Sequence, residues 1–268
     1  MALFHTHFFS ETLGMQSEAI VVLPQPAGER QIGVPPSRKV RKHWPCLWLL
    51  HGLSDDHTAW TRRTSIERYA EAAGIAVVMP NVHRSFYSNM LYGGAYSDFL
   101  HEELPRLMRG FFPLSPAKCD NAVAGLSMGG YGAFKWALSS PETFQAAASL
   151  SGVMDISARY QQLRTQEPDS LRRGTLDLVF GNEDPENGLG DLFALTQSLG
   201  DRAPPLLQLC GTEDFLYPEN LRFRDHARQY GVPLDYREGP GEHEWGFWDR
   251  EIQTVLSWLP TQGFAPDA

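Results

Sequence analysis

Short apolar runs recur along this chain and alternate with stretches of helical spacing. Residues 44–50, 75–79, 146–151, 206–210 and 234–238, together with the run that enters Gly125, read as strands. Helices are expected at 65–73, where Gly74 is the stop, at 219–230 before Gly231, and at 249–259 before Pro260. In 96–112, Phe99, Leu100, Leu104, Leu107, Met108 and Phe111 fall at helical spacing, and Pro105 is expected to kink that helix or shift its start. Near the N-terminus, 4–13 and 18–23 read as two strands joined around Gly14, an antiparallel edge. The whole pattern predicts a mostly parallel twisted sheet of about eight strands with helices on both faces. Residues 24–43 and 82–95 read as loops. Residues 155–202 are polar with little period, apart from helical pieces such as 190–198, and read as a cap-like insertion near the active site.

Composition refines this picture only slightly. With 268 residues, 42% hydrophobic and 21% charged, the chain can bury a large core. No repeat, low-complexity segment or linker interrupts it, so one domain over 1–268 is expected. A net charge of −9 argues against nucleic acid or an anionic membrane as the main partner, since both demand a basic face. The basic segment Arg38-Lys39-Val40-Arg41-Lys42-His43 is short and reads as a solvated loop. The N-terminus lacks the basic head and apolar segment of a signal peptide, and runs such as 46–50 are too short to span a bilayer. Cys46, Cys119 and Cys210 fit neither a disulfide framework nor a zinc spacing. Reduced thiols in a cytoplasmic protein are the simplest account, and a homo-oligomer is left open.

The chemistry concentrates at Gly125-Leu126-Ser127-Met128-Gly129-Gly130-Tyr131-Gly132. An apolar run enters a Gly-x-Ser-x-Gly core and leaves into the helix-forming Ala133-Phe134-Lys135-Trp136-Ala137-Leu138, the strand–turn–helix context of a nucleophile elbow. Serine needs a base to take its proton, and that base needs an acid to orient it. In parallel sheets the strand C-ends share one side, so loops after successive strands converge there. His243 follows the last strand in a loop with two glycines, as the base should, whereas His226 sits in a helical stretch and reads as a surface residue. Asp214, after the 206–210 strand, is placed first as the acid, ahead of Asp155 and then Glu213. One oxyanion donor is expected from the Met128 N–H at the helix start and a second from the Leu53 N–H in His51-Gly52-Leu53-Ser54, with His51 holding that loop. Asp55-Asp56-His57 reads as a solvated loop and not as a metal cluster. Trp60, Tyr131 and Trp245 lie beside these motifs and are candidates for lining a substrate pocket.

Leu49-Leu50-His51-Gly52, Asp56-His57-Thr58-Ala59-Trp60, the Ser127 motif, Asp214-Phe215-Leu216 and Gly241-Glu242-His243-Glu244-Trp245 together resemble the esterase D group of α/β-hydrolases. Within that group the resemblance is closest to the bacterial tributyrin (acetyl) esterases. The group also holds S-formylglutathione hydrolases, feruloyl esterases and mycolyltransferases. The resemblance runs over about 44–258. It implies an α/β-hydrolase fold, a Ser127–Asp214–His243 triad and an oxyanion hole from the N–H groups of Leu53 and Met128. The implied activity is hydrolysis of a small-molecule short-acyl ester through an acyl-enzyme, and no metal or organic cofactor is implied. The alternatives are an S-formylglutathione-type thioesterase, an acetyl or feruloyl esterase acting on carbohydrate esters, and a ligand-binding protein on a hydrolase fold. Residues 155–202 carry no motif of the group, so substrate identity rests on the pocket walls.

Overall fold

The computed structural model describes residues 1–25, 41–181 and 190–265. Its centre is a set of strands buried on both faces: Cys46–Leu50 (β3), Ala76–Pro80 (β4), Asn121–Leu126 (β5), Ala146–Leu150 (β6) and Leu206–Gly211 (β7). Near-continuous apolar sequence is what a parallel strand covered on both sides requires. Ala2–Ser10 (β1), Met15–Leu23 (β2) and Leu234–Gly239 (β8) complete an eight-stranded sheet in the order β1-β2-β4-β3-β5-β6-β7-β8. β1 and β2 form an antiparallel hairpin, β2 meets β4 antiparallel, and β4 through β8 run parallel. Eight strands, a parallel body and an antiparallel N-terminal edge match the sequence expectation.

Helices cover both faces. On one side, Ile66–Ala73 (α2) and Trp245–Trp258 (α10) pack Ile66, Ala70, Trp248, Ile252 and Val255 against the sheet. Gly74 ends α2 in the left-handed region, at φ 67°. The helix expected at 249–259 begins earlier because the Glu244 carboxylate accepts the N–H groups of Gly246 and Phe247 and caps it at Trp245. A short helix, Ala59–Arg63 (α1), was not expected; it buries Ala59 and Trp60.

The other face carries Leu104–Phe111 (α4), Met128–Ser139 (α5), Ile156–Gln166 (α6), Leu171–Phe180 (α7), Leu192–Leu199 (α8) and Tyr217–Gln229 (α9). Their apolar sides join one core around Trp48, Phe134, Tyr160 and Phe223. The expected distortion at Pro105 is local. Tyr96–Asp98 (α3) runs into a π-helical turn, Phe99–Glu103, and α4 follows with Pro105 in its first turn. Proline cannot donate to the carbonyl four residues back and its ring crowds that carbonyl, so the wider turn accommodates it.

Of the expected 24–43 loop, residues 26–40 lie outside the described residues. The 155–202 section supplies α6, α7 and α8, with 182–189 outside the description. Cys46 and Cys210 are buried and unpaired, and burial pushes both thiols up. Among the described residues no helix is long and apolar enough to cross a membrane.

Candidate active site

Ser127 stands between β5 and α5 with φ 54° and ψ −118°, a conformation that costs a residue with a Cβ on the order of 1–3 kcal/mol. Neighbours hold it there. The Ser127 N–H donates to the Leu150 carbonyl at 2.9 Å, and the Ser127 carbonyl accepts from Tyr131 at 3.1 Å and Val153 at 3.2 Å. Glycine is required on either side of the serine. A Cβ on Gly125 would run into the Gly129 carbonyl, and one on Gly129 would lie 2.5 Å from the Leu50 oxygen and 2.7 Å from the His51 oxygen. This close approach places the serine beside the loop that follows β3.

His243 and Asp214 arrive from the loops after β8 and β7. His243 Nε2 lies 3.0 Å from Ser127 Oγ, and its Nδ1 lies 2.9 and 3.1 Å from the two oxygens of Asp214. A carboxylate only accepts, so Nδ1 carries the proton and Nε2 faces the serine hydroxyl as an acceptor. Asp214 is 4% exposed, and its Oδ1 also accepts the Leu216 N–H at 2.8 Å. The His243 ring is flanked by Phe215 at 4.6 Å and by Trp248 at 4.9 Å.

The other two acid candidates are elsewhere. Asp155 caps α6 through the Ala158 N–H and pairs with Arg222 at 2.9 Å. Glu213 is exposed and accepts the Gly241 N–H at 2.6 Å, which ties the β7 and β8 loops together and holds its carboxyl below the usual range. His226 is not a free surface residue. It is half-buried, donates to the Phe193 carbonyl at 2.9 Å and packs against the rings of Phe193 and Tyr230.

The loop after β3 is braced by His51, as the sequence suggests, and by Tyr87 and Lys135, which sequence inspection did not single out. The Val82 N–H donates to His51 Nε2 at 3.2 Å, so His51 is the Nδ1–H tautomer and donates to the Gly52 carbonyl at 2.7 Å. Burial pushes His51 down to about 4, which keeps the ring neutral. Tyr87 Oη donates to the His51 carbonyl at 2.8 Å. Lys135, buried on α5, donates to the Tyr87 carbonyl at 3.0 Å and to Ser88 Oγ at 2.6 Å. Phe86 and Tyr87 both have positive φ, a strained turn that this lysine pins. The available signal was Lys135 itself, the one charged residue in the otherwise apolar and small sequence of α5.

Leu53 and Met128 line a cavity of about 1340 Å³ together with Ser127 and His243. Phe86, Val153, Leu163, Leu176, Phe215 and Trp245 supply its apolar wall. Two of the three expected pocket aromatics are absent from that wall. Trp60 is buried under the sheet end, where its Nε1 donates to the Leu50 carbonyl at 3.0 Å. Tyr131 points into the α5 core and donates to the Gly190 carbonyl at 2.7 Å. Their flanking motifs reach the site while their own side chains face inward. In the 55–57 segment, Asp56 accepts the Thr58 N–H and His57 lies 3.4 Å from Glu18.

This strand order, with a strained serine elbow at the C-terminal edge of the parallel strands, is the architecture of an α/β-hydrolase. A family profile described as "Putative esterase" matches residues 25–259, and the chain belongs to this esterase family. An acetyl esterase of Caldicellulosiruptor saccharolyticus is 26% identical, over 97% of this chain and 98% of that protein. FphF, a fluorophosphonate-binding serine hydrolase of Staphylococcus aureus, superimposes with a TM-score of 0.84 at 35% identity, covering 96% of this chain and 98% of its own. The S-formylglutathione hydrolase FrmB of the same organism gives a TM-score of 0.80 at 35% identity, with the same coverage. The protein is a carboxylic ester hydrolase.

Proposed function

We propose that this esterase is a serine carboxylesterase of the esterase D group that cleaves short-acyl esters through an acyl-enzyme. The observation that carries the reading is His243, held between Ser127 Oγ at 3.0 Å and Asp214 at 2.9 Å at the floor of an open cavity. Ser127 Oγ attacks the carbonyl carbon while His243 Nε2 accepts its proton. The N–H groups of Leu53 and Met128 hold the tetrahedral oxyanion, Met128 with the added field of the α5 N-terminus. His243 passes the proton to the leaving oxygen, which departs as the alcohol. Water then gives a proton to His243 and attacks the acyl carbon; as the bond to Ser127 Oγ breaks, His243 returns that proton to the serine and the acid departs. Asp214 keeps the ring oriented and offsets its charge. The wall formed by α6 and α7 acts as the cap-like part of the single domain. The unpaired buried thiols of Cys46 and Cys210 support a cytoplasmic protein.

The test is Ser127→Ala on p-nitrophenyl acetate. Turnover should fall by at least about 10³-fold with the circular dichroism unchanged; near-normal rates in a folded variant would sink the assignment. A thioesterase of the S-formylglutathione type is the second reading, supported by the 35% identity to FrmB. Rates on p-nitrophenyl esters from acetate to laurate, with S-formylglutathione alongside, separate the two.

A further inference from the structure

The cavity in front of Ser127 carries positive charge that a plain acetate ester would leave unused. Several arginines elsewhere on the molecule meet carboxylates, as Arg173 meets Asp177, Arg222 meets Asp155, Arg237 meets Asp235 and Arg250 meets Glu251, while Arg62, Arg63 and Arg68 stand without one among the described residues. Arg84, Arg159 and Arg172 line the cavity, and among the described residues none of the three forms an ion pair. Arg84 Nε is buried with no hydrogen-bond partner. Arg159 bonds only the neutral Gln162 and lies 5.3 Å over the Phe215 ring. Removing a guanidinium from water without a partner is unfavourable, and its planar fork matches a carboxylate. Arg84 and Arg159 are half-buried and Arg172 is exposed at the rim; in a chain of net charge −9, three guanidiniums around one cavity are a local reversal of sign.

Two carboxylates share the cavity, fewer than its three arginines, and neither forms an ion pair with them. Glu244 is engaged by the N–H groups of Gly246 and Phe247 at the start of α10. Asp55 lies beside Gly52, and among the described residues it pairs with none of these arginines. Behind Arg159, burial pushes the Glu219 carboxyl up to about 8.

Position assigns these charges to one end of the substrate. His243 protonates the leaving atom, so the leaving group departs alongside His243 and the Phe215 ring that packs on it at 4.6 Å. Arg159 packs on the same Phe215 ring, 5.3 Å from its centroid, which puts it in the neighbourhood of a departing group. Arg84 and Arg172 raise the positive potential of the same cavity.

We propose that the cavity selects esters or thioesters whose leaving group carries a carboxylate, with Arg159 as its counter-ion and Arg84 and Arg172 reinforcing the attraction. The proposal rests on Ser127 as nucleophile and His243 as base, since these define which end is the leaving group. The probes are 3-(4-acetoxyphenyl)propanoate and its methyl ester, whose reacting ends are the same. The expected result is about a tenfold higher kcat/KM for the carboxylate, the worth of one charge-assisted hydrogen bond, shrinking as salt rises. Arg159→Gln should bring that ratio close to one and Arg84→Gln should lower it less, while Arg228→Gln, a surface control paired with Asp225, should leave it unchanged. Equal rates on the two probes, or a ratio unmoved by Arg159→Gln, would overturn the subsite. Calorimetry with the non-hydrolysable 3-(4-acetamidophenyl)propanoate and its methyl ester on Ser127→Ala reads the same preference without catalysis. Tighter binding of the carboxylate without hydrolysis of either ester by the wild type would keep the subsite and remove the esterase reading. Hydrolysis of both esters at equal rates, with equal binding, would do the reverse.

Discussion

The floor of the cavity and the wall above it are built by different means. At the floor every functional group is tied down. Asp214 accepts from Leu216 and His243, the loop after β3 is held through His51, Tyr87 and Lys135, and Gly125 and Gly129 let backbones touch. The wall from α6 and α7 presents Leu163, Leu171 and Leu176 with two arginines, and Leu171 is 73% exposed. Its ties lie away from the cavity lining: Asp155 and Ser170 cap the helices, buried Tyr160 joins α6 to Asp177 and the Gly181 carbonyl, and Leu91 and Tyr92 donate to the carbonyls of Val179 and Leu178. A floor of this kind holds reacting atoms in place, while a wall of apolar side chains and arginines sets which molecules fit. Substitutions in the floor should therefore cost rate on every substrate, and those in the wall should reorder substrates.

The sharpest way to break this contrast is Asp214→Asn. An amide can donate to Nδ1 and favour the wrong tautomer, so kcat on p-nitrophenyl acetate should drop by about 10³–10⁴-fold. A loss under tenfold would mean that the floor is not preorganised through this carboxylate. Tyr87→Phe comes next. It leaves the His51 carbonyl without its buried donor, an expected cost of about 1–3 kcal/mol in urea unfolding. With the loop loosened, kcat should fall several-fold and KM should move little; a change confined to KM would assign Tyr87 to substrate binding instead. Leu176→Ala should shift the preferred acyl length by a few-fold in kcat/KM while fluorophosphonate labelling of Ser127 stays intact, and uniform loss across the ester series would erase the floor–wall distinction.

The smallest effect concerns stability alone. Burial pushes the Glu219 carboxyl up to about 8, from an ordinary 4.5. The folded state therefore holds that proton more tightly than the unfolded state. Its stabilising contribution is complete below about pH 4.5 and is lost as pH rises through about 8. Glu219→Gln removes the titration, so the fall in urea midpoint between about pH 5 and 8 should be shallower in the variant than in the wild type. An identical slope in both proteins would place Glu219 in a more hydrated setting than its 7% exposure indicates.

Much of the floor was legible in the sequence because its signals are local. Strand, glycine, serine, glycine and helix are adjacent in the chain, and the loops carrying Asp214 and His243 each follow an apolar run. Parallel topology then requires those loops to meet on one side of the sheet. The wall was not legible, because 155–202 shows little period and its residues acquire a role only by facing the cavity. Side-chain direction was the other failure. Trp60 and Tyr131 neighbour the right motifs but turn inward, and the bracing of the β3 loop joins His51, Tyr87 and Lys135 across long sequence separations.

By itself the sequence determined the alternation of strands and helices, the antiparallel entry and the loops that carry Ser127, Asp214 and His243, since each depends on short-range pattern and on a topology with few alternatives. Only the tertiary structure decided that Asp214, and not Asp155 or Glu213, lies against His243, which aromatic rings face the cavity, and that three arginines with no ion pair among the described residues line it. Those outcomes depend on distances between segments far apart in the chain, and packing sets such distances through the sum of many weak contacts that no local pattern encodes.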